Sequence, residues 1–200
     1  MIKATIKGFE LFFDTSVDCF SPKFIDRGTL AMLSLARFNS SDKVLDLGCG
    51  YGVVGILAAK FASPKQVFLT DISKIAIRHA RQNAILNGVE GVHIIWSNAY
   101  ENLNEAGFNI ILSNPPYHTD FTVAKTFIEK GFNRLLMDGK FYMVTKRKDW
   151  YMNKFTAIFG GVKVWEIDGY YVFMAVKKSN AYAKVHKQKL KTPPKEKKRR

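Results

Sequence analysis

The sequence contains the glycine-rich turn Asp46-Leu47-Gly48-Cys49-Gly50-Tyr51-Gly52, which joins the apolar run Val44–Leu47 to a helical pattern that continues to Phe61. Glycines let the backbone turn sharply and approach a ligand without obstruction by side chains. In α/β sheets, ligands bind at the carboxyl ends of the strands, where such turns lie. We therefore predict an α/β fold with a ligand site directly after this strand.

Strand and helix patterns alternate along the chain on both sides of the turn. The predicted strands are Val44–Leu47, Val67–Thr70, Val92–Trp96, Ile110–Ser113 and Phe141–Thr145. The predicted helices run from Asp26 to Phe38, from Gly52 to Phe61, from Ser73 to Asn87, from Ala124 to Leu136 and from Asn153 to Phe159. Such an alternation predicts a Rossmann-like, mostly parallel sheet with helices on both faces.

Two further strands, Val162–Ile167 and Tyr170–Val176, flank the dipeptide Asp168-Gly169. A two-residue Asp-Gly loop favours an antiparallel hairpin. The prediction is therefore a seven-stranded sheet that ends in a C-terminal antiparallel hairpin. Before the first helix, Ile2–Ile6 and Glu10–Phe13 predict two additional short strands.

The chain has a formal net charge of +14, which favours a polyanionic partner such as nucleic acid. Between Lys184 and Arg200, nine Lys/Arg residues face one acidic residue, Glu196, and almost no residue is apolar. The remainder of the chain still carries +6, so its basic character is not confined to the tail. We predict one domain over residues 1–180 and a basic, disordered tail over residues 181–200.

Composition argues against secreted, membrane and metal-binding classes. Cys19 and Cys49 are the only cysteines, too few for a disulfide framework or a cysteine-based metal site. The first residues lack the layout of a signal peptide, and no apolar run approaches the roughly 20 residues that cross a bilayer. We expect a cytoplasmic protein without a metal or a membrane partner.

Polar side chains follow three successive predicted strands. Asp46 opens the glycine turn, Asp71 follows the second strand, and Asn98 follows the third. A carboxylate can accept both hydrogen bonds of a ribose diol, and an amide can pair with the edge of an adenine. These strand ends together indicate a site for a nucleoside-bearing cofactor.

The glycines alone leave two cofactors open. Gly50-Tyr51-Gly52-Val53-Val54-Gly55 fits the dinucleotide fingerprint, and Asp71 follows at about the expected distance, so a nicotinamide dehydrogenase is one reading. Asp46, however, would face a pyrophosphate unfavourably, whereas its carboxylate suits a cationic amino-acid moiety. The position of Asp46 favours S-adenosylmethionine over the dinucleotide.

The fourth strand ends in Asn114-Pro115-Pro116-Tyr117-His118. The prolines fix the backbone and remove two amide donors, which leaves carbonyl oxygens free to accept hydrogen bonds. The side-chain oxygen of Asn114 and the carbonyl of Pro115 could both accept from an amino group whose lone pair is spread into a ring. Tyr117 could stack on that ring, and attack on a methyl group would then depend chiefly on positioning.

These motifs resemble a known class of enzymes. The glycine turn followed by Asn114-Pro115-Pro116-Tyr117 resembles class I methyltransferases that use S-adenosylmethionine to modify exocyclic or amide nitrogens. A closer resemblance, to the guanine-N2 methyltransferases of small-subunit ribosomal RNA, rests on Phe20-Ser21-Pro22, Asp26-Arg27-Gly28-Thr29, Ser97-Asn98-Ala99-Tyr100 and His118. The resemblance covers about Phe9 to Lys177.

The resemblance implies a set of cofactor-binding residues, which are Phe20, Thr29, Asp46, Gly48, Gly50, Asp71, Ile72, Asn98 and Asn114. In this assignment Asp46 and the glycines lie along the methionine part of the cofactor. Asp71 lies at the ribose and Asn98 at the adenine. The implied catalytic residues are Asn114, Pro115 and Tyr117.

The substrate is less closely specified than the reaction. Many guanine-N2 methyltransferases have Phe where this chain has Tyr117, and Tyr is also common there in adenine-N6 and glutamine-N5 methyltransferases. The leading hypothesis is methylation of guanine N2 in small-subunit ribosomal RNA. The alternatives are those two other activities, or an inactive protein of the same fold that binds RNA as an assembly factor.

Four residues are candidate RNA contacts. His118 follows the Asn-Pro-Pro-Tyr motif, and Lys146, Arg147 and Lys148 follow the fifth strand at the same edge of the predicted sheet. Cations there would meet the phosphates of a bound RNA. A solvated charged loop is the alternative interpretation of these residues.

Overall fold

The computed structural model of the chain describes residues 1–116 and 121–183, within which it forms nine strands and five α-helices. The strands are β1 (Ile2–Ile6), β2 (Phe9–Phe13), β3 (Val44–Leu47), β4 (Val67–Asp71), β5 (His93–Trp96), β6 (Phe108–Ser113), β7 (Leu135–Thr145), β8 (Lys163–Ile167) and β9 (Tyr170–Val176). The helices are α1 (Arg27–Leu35), α2 (Val53–Ala58), α3 (Lys74–Leu86), α4 (Phe121–Arg134) and α5 (Asp149–Phe159).

Seven strands form one sheet in the order β5-β4-β3-β6-β7-β9-β8. The pairs from β5 to β7 are parallel, and β9 is antiparallel to both β7 and β8. Buried side chains form two clusters, one with α1, α2 and α3, and the other with α4 and α5. Successive residues Val44 and Leu45 belong to different clusters, as expected for a strand buried on both faces. The predicted Rossmann-like fold is confirmed.

The C-terminal hairpin also forms as predicted. Its loop residues Asp168 and Gly169 have φ values of 51° and 74°. Positive φ at both central residues is the geometry that a type I′ turn requires, and its twist matches that of the flanking strands. Local turn chemistry therefore sets the register of β8 on β9, in which Ile167 pairs with Tyr170.

The N-terminal strands β1 and β2 form a separate two-stranded sheet that docks on α3. Asn87 exchanges two hydrogen bonds with the backbone of Phe12, at 3.0 and 2.7 Å. Asn83 does the same with the backbone of Asp14, at 2.7 and 2.9 Å. These two buried amides satisfy the edge of β2 and direct the following segment toward the ends of the parallel strands.

Several predicted boundaries are wrong. The helical pattern continues through Leu136, but α4 ends at Arg134 and Leu135 begins β7. Leu135 is buried and pairs with Phe108 of β6, so strand pairing rather than helical spacing places this residue. Helix α2 ends at Ala58, three residues before Phe61, and α5 begins at Asp149 rather than Asn153. In the described part of the chain, no helix has the length and apolar character of a membrane span.

Candidate functional site

A cavity of about 410 Å³ opens at the carboxyl ends of β3, β4, β5 and β6. The structure brings together in its wall all the residues for which the sequence predicts cofactor binding: Phe20, Thr29, Asp46, Gly48, Gly50, Asp71, Ile72, Asn98 and Asn114. Of the predicted catalytic residues, Pro115 is buried outside the lining, and Tyr117 lies outside the described residues. Pro116, which lies between these two residues in the sequence, does line the cavity.

The glycine turn is held in an unusual backbone conformation. Gly48 and Gly50 have φ values of 73° and 54°, in the left-handed region that other residues avoid. The backbone N–H groups of Gly48 and Cys49 both donate to the carbonyl of Thr70, at 2.8 and 2.9 Å. The turn therefore presents bare backbone to the cavity, and neither glycine adds a side chain to it.

Asp71 links the glycine turn to the start of α3. One carboxylate oxygen accepts from the N–H of Gly50 at 2.8 Å, and the other accepts from the N–H of Ser73 at 2.8 Å. Each oxygen retains a further lone pair, so the carboxylate can still accept from a diol. The two backbone bonds hold Asp71 in one orientation at the cavity wall.

Asp46 is a buried carboxyl with an unusual protonation equilibrium. Its side chain is 2% exposed and accepts one hydrogen bond, from the N–H of Gly55 at 2.8 Å. Burial raises the pKa of the Asp46 carboxyl to about 7, and the negative charge of Asp71 acts in the same direction. A cation in the cavity would favour the ionised form, so the site is suited to a positively charged ligand group.

The thiol of Cys49 lies in the cavity wall and is disfavoured as a nucleophile. Burial raises the pKa of the Cys49 thiol, and the charges of Asp46 and Asp71 raise it further, so the reactive thiolate is disfavoured. Among residues 1–116 and 121–183, no group of His, Cys, Asp or Glu side chains could hold a metal ion.

Asn114 has one end of its amide bound and the other without a partner. Its Nδ2 donates to Asp26 Oδ1 at 2.8 Å and to Thr29 Oγ1 at 3.0 Å. Its Oδ1 is buried and accepts no hydrogen bond from the described residues. A flipped amide would set Oδ1 against the Asp26 carboxylate, so these two contacts determine the orientation. The site thus keeps a buried acceptor free in a residue that lines the cavity.

The two partners of Asn114 are Asp26, which the sequence predicts as the start of a helix, and Thr29, which it predicts as a cofactor-binding residue. Asp26 was predicted to begin a helix, and it does cap α1, since its Oδ1 accepts from the N–H of Thr29 at 2.9 Å. The same oxygen also holds Asn114, which sequence analysis missed. Gly28 explains how α1 reaches this position, because a Cβ there would lie 2.7 Å from the ring of Tyr170 on β9. No local pattern predicts a contact between residues so far apart in the chain.

Asn98 lies at the end of the cavity near β5. It follows Ser97, whose backbone N–H donates to the carbonyl of Asp71 at 2.9 Å. The Nδ2 of Asn98 donates to Glu101 Oε1 at 3.0 Å, and the side chain is exposed. Asn98 and Asp71 both line the cavity at the ends of neighbouring strands, where the sequence predicts a site for a nucleoside.

The predicted RNA contacts Lys146, Arg147 and Lys148 follow β7 and are exposed. Each cation lies over an aromatic ring, at 5.1 Å from Tyr170, 5.0 Å from Phe121 and 5.4 Å from Tyr171 respectively. Because β7 is the parallel neighbour of β6, these cations lie at the same edge of the sheet as Asn114. His118 is not among the described residues.

The chain matches one protein family model and is similar to several ribosomal RNA methyltransferases. Residues 10–175 match the family model described as methyltransferase small domain. The chain is 35% identical over 149 residues to ribosomal RNA small subunit methyltransferase C of Psychromonas ingrahamii, covering 72% of this chain and 42% of that protein. It is 31% identical over 183 residues to ribosomal RNA large subunit methyltransferase G of Alteromonas mediterranea, covering 86% and 44%.

A solved structure shares the same fold. It is the 16S rRNA N2 methyltransferase (RsmC) of T. thermophilus in complex with AdoMet and guanosine, with a TM-score of 0.81 and 26% identity. The match covers 88% of this chain and 50% of that one. The chain thus spans half or less of the length of these relatives.

Proposed function

The chain belongs to the methyltransferase small domain family, and we propose that it methylates an exocyclic amino nitrogen of an RNA base with S-adenosylmethionine. The preferred target is guanine N2 of small-subunit ribosomal RNA. The observation that carries this proposal is the buried Oδ1 of Asn114, which has no partner among the residues that the structure describes and lies in the wall of a cavity that also holds Asp46 and Asp71. Hydride transfer by a dehydrogenase does not require the Asn114 Oδ1 acceptor. Membership of a methyltransferase family also argues against a nicotinamide dinucleotide as the cofactor.

The cavity residues fit S-adenosylmethionine by their chemistry. The Asp46 carboxyl, ionised when a cation is near, would hold the ammonium of the methionine part. The fixed carboxylate of Asp71 would accept from the ribose hydroxyls, and Asn98 would pair with the adenine. When bound, the cofactor supplies an electrophilic methyl group, and the bare backbone of Gly48 and Gly50 leaves room for its approach.

Asn114 would act on the target amine. Its Oδ1 would accept one N–H of the amino group, which helps to turn the nitrogen lone pair toward the methyl donor. The carbonyl of Pro115 as the second acceptor rests on the sequence alone, since Pro115 is buried outside the cavity lining. As the nitrogen–methyl bond forms, the methyl–sulfur bond of the bound cofactor would break and S-adenosylhomocysteine would leave, and the cationic nitrogen would then lose one proton to solvent. Correct placement of two reactants contributes up to about 7–11 kcal/mol, so no nucleophilic side chain is needed.

The substrate is proposed from the relatives and the charge. The small-subunit enzymes at 35% identity and the solved guanine-N2 enzyme favour the small subunit and guanine N2. Lys146, Arg147 and Lys148, with His118, would contact RNA phosphates beside Asn114. The relative that is named as a large-subunit methyltransferase favours large-subunit RNA as the second candidate. We further propose that residues 1–180 act as one methyltransferase domain in the cytoplasm, with residues 181–200 as a basic tail.

Methyl transfer to defined RNAs tests the proposal. Unmodified transcripts of small-subunit and large-subunit ribosomal RNA would be incubated with the protein and methyl-labelled S-adenosylmethionine, and the nucleosides analysed by mass spectrometry. We expect N2-methylguanosine in the small-subunit transcript. N6-methyladenosine or label in large-subunit RNA would change the assigned substrate, whereas RNA binding without transfer to either RNA or to assembled subunits would favour an assembly factor.

A further inference from the structure

A second groove lies between α3 and β5, outside the cavity described above. Its volume is about 420 Å³, and its walls include Lys74, Arg78 and Arg81 together with Trp96. The three cations stand at positions i, i+4 and i+7 of α3, which places them on one face of the helix. All three are exposed, so the groove is a basic channel that is open to solvent.

The cations of the groove lack acidic partners. None of them has a described carboxylate within 4.0 Å, although ion pairs occur elsewhere on the surface. Arg81 donates to the carbonyl of Ile94 at 3.3 Å, and Lys74 lies 5.0 Å from the centre of the Trp96 ring. Among the described residues, the positive charge of this face is therefore not neutralised by ion pairs, which favours a polyanionic ligand.

Trp96 is held in place at the end of the groove that is nearer the cavity. Its Nε1 donates to the carbonyl of Ile72 at 2.7 Å, while the indole remains 46% exposed. Ile72 is itself 63% exposed and lines the cavity of the candidate site. An exposed aromatic ring beside clustered cations is typical of surfaces that bind single-stranded nucleic acid. The groove and the cavity are therefore adjacent, because Trp96 of the groove is hydrogen-bonded to Ile72 of the cavity wall.

We propose that this α3–β5 groove binds the phosphate backbone of the RNA substrate, on the side of the cavity opposite Lys146. The inference rests on the proposed function for the identity of the RNA. Strands β5 and β7 are separated by three other strands, so the two basic surfaces lie roughly 20 Å apart along one sheet edge. A single RNA segment can contact both, with its target base over Asn114 between them.

Binding measurements with a matched control test the groove. The variant Arg78→Ala/Arg81→Ala removes two cations and keeps a good helix former. The control Lys130→Ala/Lys163→Ala removes two exposed cations from α4 and β8, away from both basic surfaces. Filter binding of an unmodified small-subunit ribosomal RNA transcript would be measured over a salt series, without cofactor.

Each phosphate contact contributes about 0.7–0.9 to the slope of log affinity against log salt. We expect the groove variant to lose roughly 1.5 from that slope and at least tenfold in affinity at low salt, and the control to keep most of both. Ultraviolet crosslinking should attach RNA to peptides of α3 or β5 in the wild type. Equal slopes for the two variants would overturn the proposal.

The groove and the proposed activity fail in distinguishable ways. A groove variant that binds the naked transcript normally but loses binding to the assembled subunit would assign the groove to a ribosomal protein and overturn RNA binding. A wild type that binds RNA through the groove but transfers no methyl group would contradict the activity alone. Unfolding temperatures of both variants within a few degrees of the wild type would exclude a folding defect.

Discussion

At the residue scale, the candidate site depends on two buried polar groups whose hydrogen-bonding capacity is incompletely used by residues 1–116 and 121–183. The buried carboxyl of Asp46 accepts one hydrogen bond, from the N–H of Gly55, and the Oδ1 of Asn114 accepts none from these residues. Such groups reduce stability unless a ligand satisfies them. Both lie in the same cavity, one where the cofactor is proposed and the other where the target amine is proposed, so their cost to folding is best explained by binding.

Asp46 makes cofactor binding dependent on pH. Since the pKa of its carboxyl in the free protein is about 7, we expect affinity for S-adenosylmethionine to rise from pH 6 to pH 8 and then level off. Asp46→Asn should remove this dependence and weaken binding about 10- to 150-fold at pH 8, the effect of one charged hydrogen bond. Calorimetry across this pH range is the measurement. An equal pH dependence in the variant would refute the role of Asp46.

The same carboxyl makes the free protein less stable as pH rises. Its folded pKa of about 7 exceeds the ordinary value of 3.8, so the unfolded chain binds fewer protons between these values. The contribution of Asp46 to the free energy of unfolding therefore falls as pH rises from about 4 to 7 and stays low above 7. Urea titrations of Asp46→Asn should lack this decline, and saturating cofactor should reduce it in the wild type.

Asn114→Ala separates catalysis from cofactor binding. Its Oδ1 is proposed to touch the target amine, so its effect should be expressed in turnover. We expect kcat to fall at least tenfold, a barrier increase of about 1.4 kcal/mol or more, while affinity for S-adenosylmethionine changes little. Single-turnover methylation and calorimetry give the two quantities. A variant that kept more than about a tenth of wild-type turnover would contradict the role assigned to Asn114.

Asp26 and Thr29 are positioning residues for that amide. Thr29→Val removes the Oγ1 acceptor at similar size, and Asp26→Ser keeps a helix cap but is too short to hold Asn114. We expect each to lower kcat about 3- to 10-fold, with cofactor affinity and unfolding temperature nearly unchanged. Asp26→Asn, which retains Oδ1, should restore most of the turnover. If kcat stayed normal in both Thr29→Val and Asp26→Ser, the Asn114 orientation would not depend on these contacts.

At the scale of elements, the site is assembled where the start of α1 meets the end of β6 and the start of β9. Gly28 allows α1 to approach Tyr170, and Lys146, after β7, lies over the same ring. Tyr170 therefore contacts both α1, whose start holds Asn114, and the basic loop after β7. A displacement of Tyr170 would therefore change both the position of the basic loop and the orientation of the Asn114 amide.

The loop after β7 should position RNA as well as attract it. Changing Lys146, Arg147 and Lys148 together to alanine removes three cations beside Asn114. We expect lower RNA affinity and also lower turnover at saturating RNA, because a displaced base presents its amine poorly. Single-turnover assays at saturating transcript distinguish the two effects. Normal turnover at saturation would assign the loop to affinity alone.

At the scale of the whole molecule, the excess positive charge is distributed over several surfaces, for which we propose different roles in RNA binding. The α3–β5 groove and the loop after β7 flank the cavity, whereas nine more cations follow residue 183 in the sequence. The described chain ends with Tyr182 and Ala183 packed on the domain, since Tyr182 contacts the ring of Phe132 and the N–H of Ala183 donates to Ile158. Residues 184–200 can thus be deleted without removing these contacts.

Deletion of residues 184–200 should weaken RNA binding without impairing chemistry. Because the segment carries nine basic residues and one acid, we expect a smaller salt slope and a higher KM, with turnover at saturating RNA little changed. Filter binding over a salt series and methylation at saturating transcript would measure these effects. An unchanged salt slope would mean that the segment serves solubility instead.

The sequence alone determined features that depend on neighbouring residues. The caps at Asp26 and Ser73, the Asp168-Gly169 turn, the seven strands and the gathering of the predicted cofactor-binding residues in one cavity all follow from it. Capping, turn geometry and apolar periodicity act within a few residues, and parallel strands bring their carboxyl ends to one edge. Features that depend only on neighbouring residues can therefore be predicted without knowledge of the tertiary structure.

Only the tertiary structure decided which distant groups meet. Asp26 and Asn114 are 88 residues apart, and their hydrogen bond depends on how α1 packs against β9. The start of β7 at Leu135 was likewise decided by pairing with β6, which overrode a helical spacing that continued past it. Trp96 joined the cations of α3 because an edge strand lies beside that helix. Such contacts arise from packing between elements, for which a single sequence carries no periodic signal.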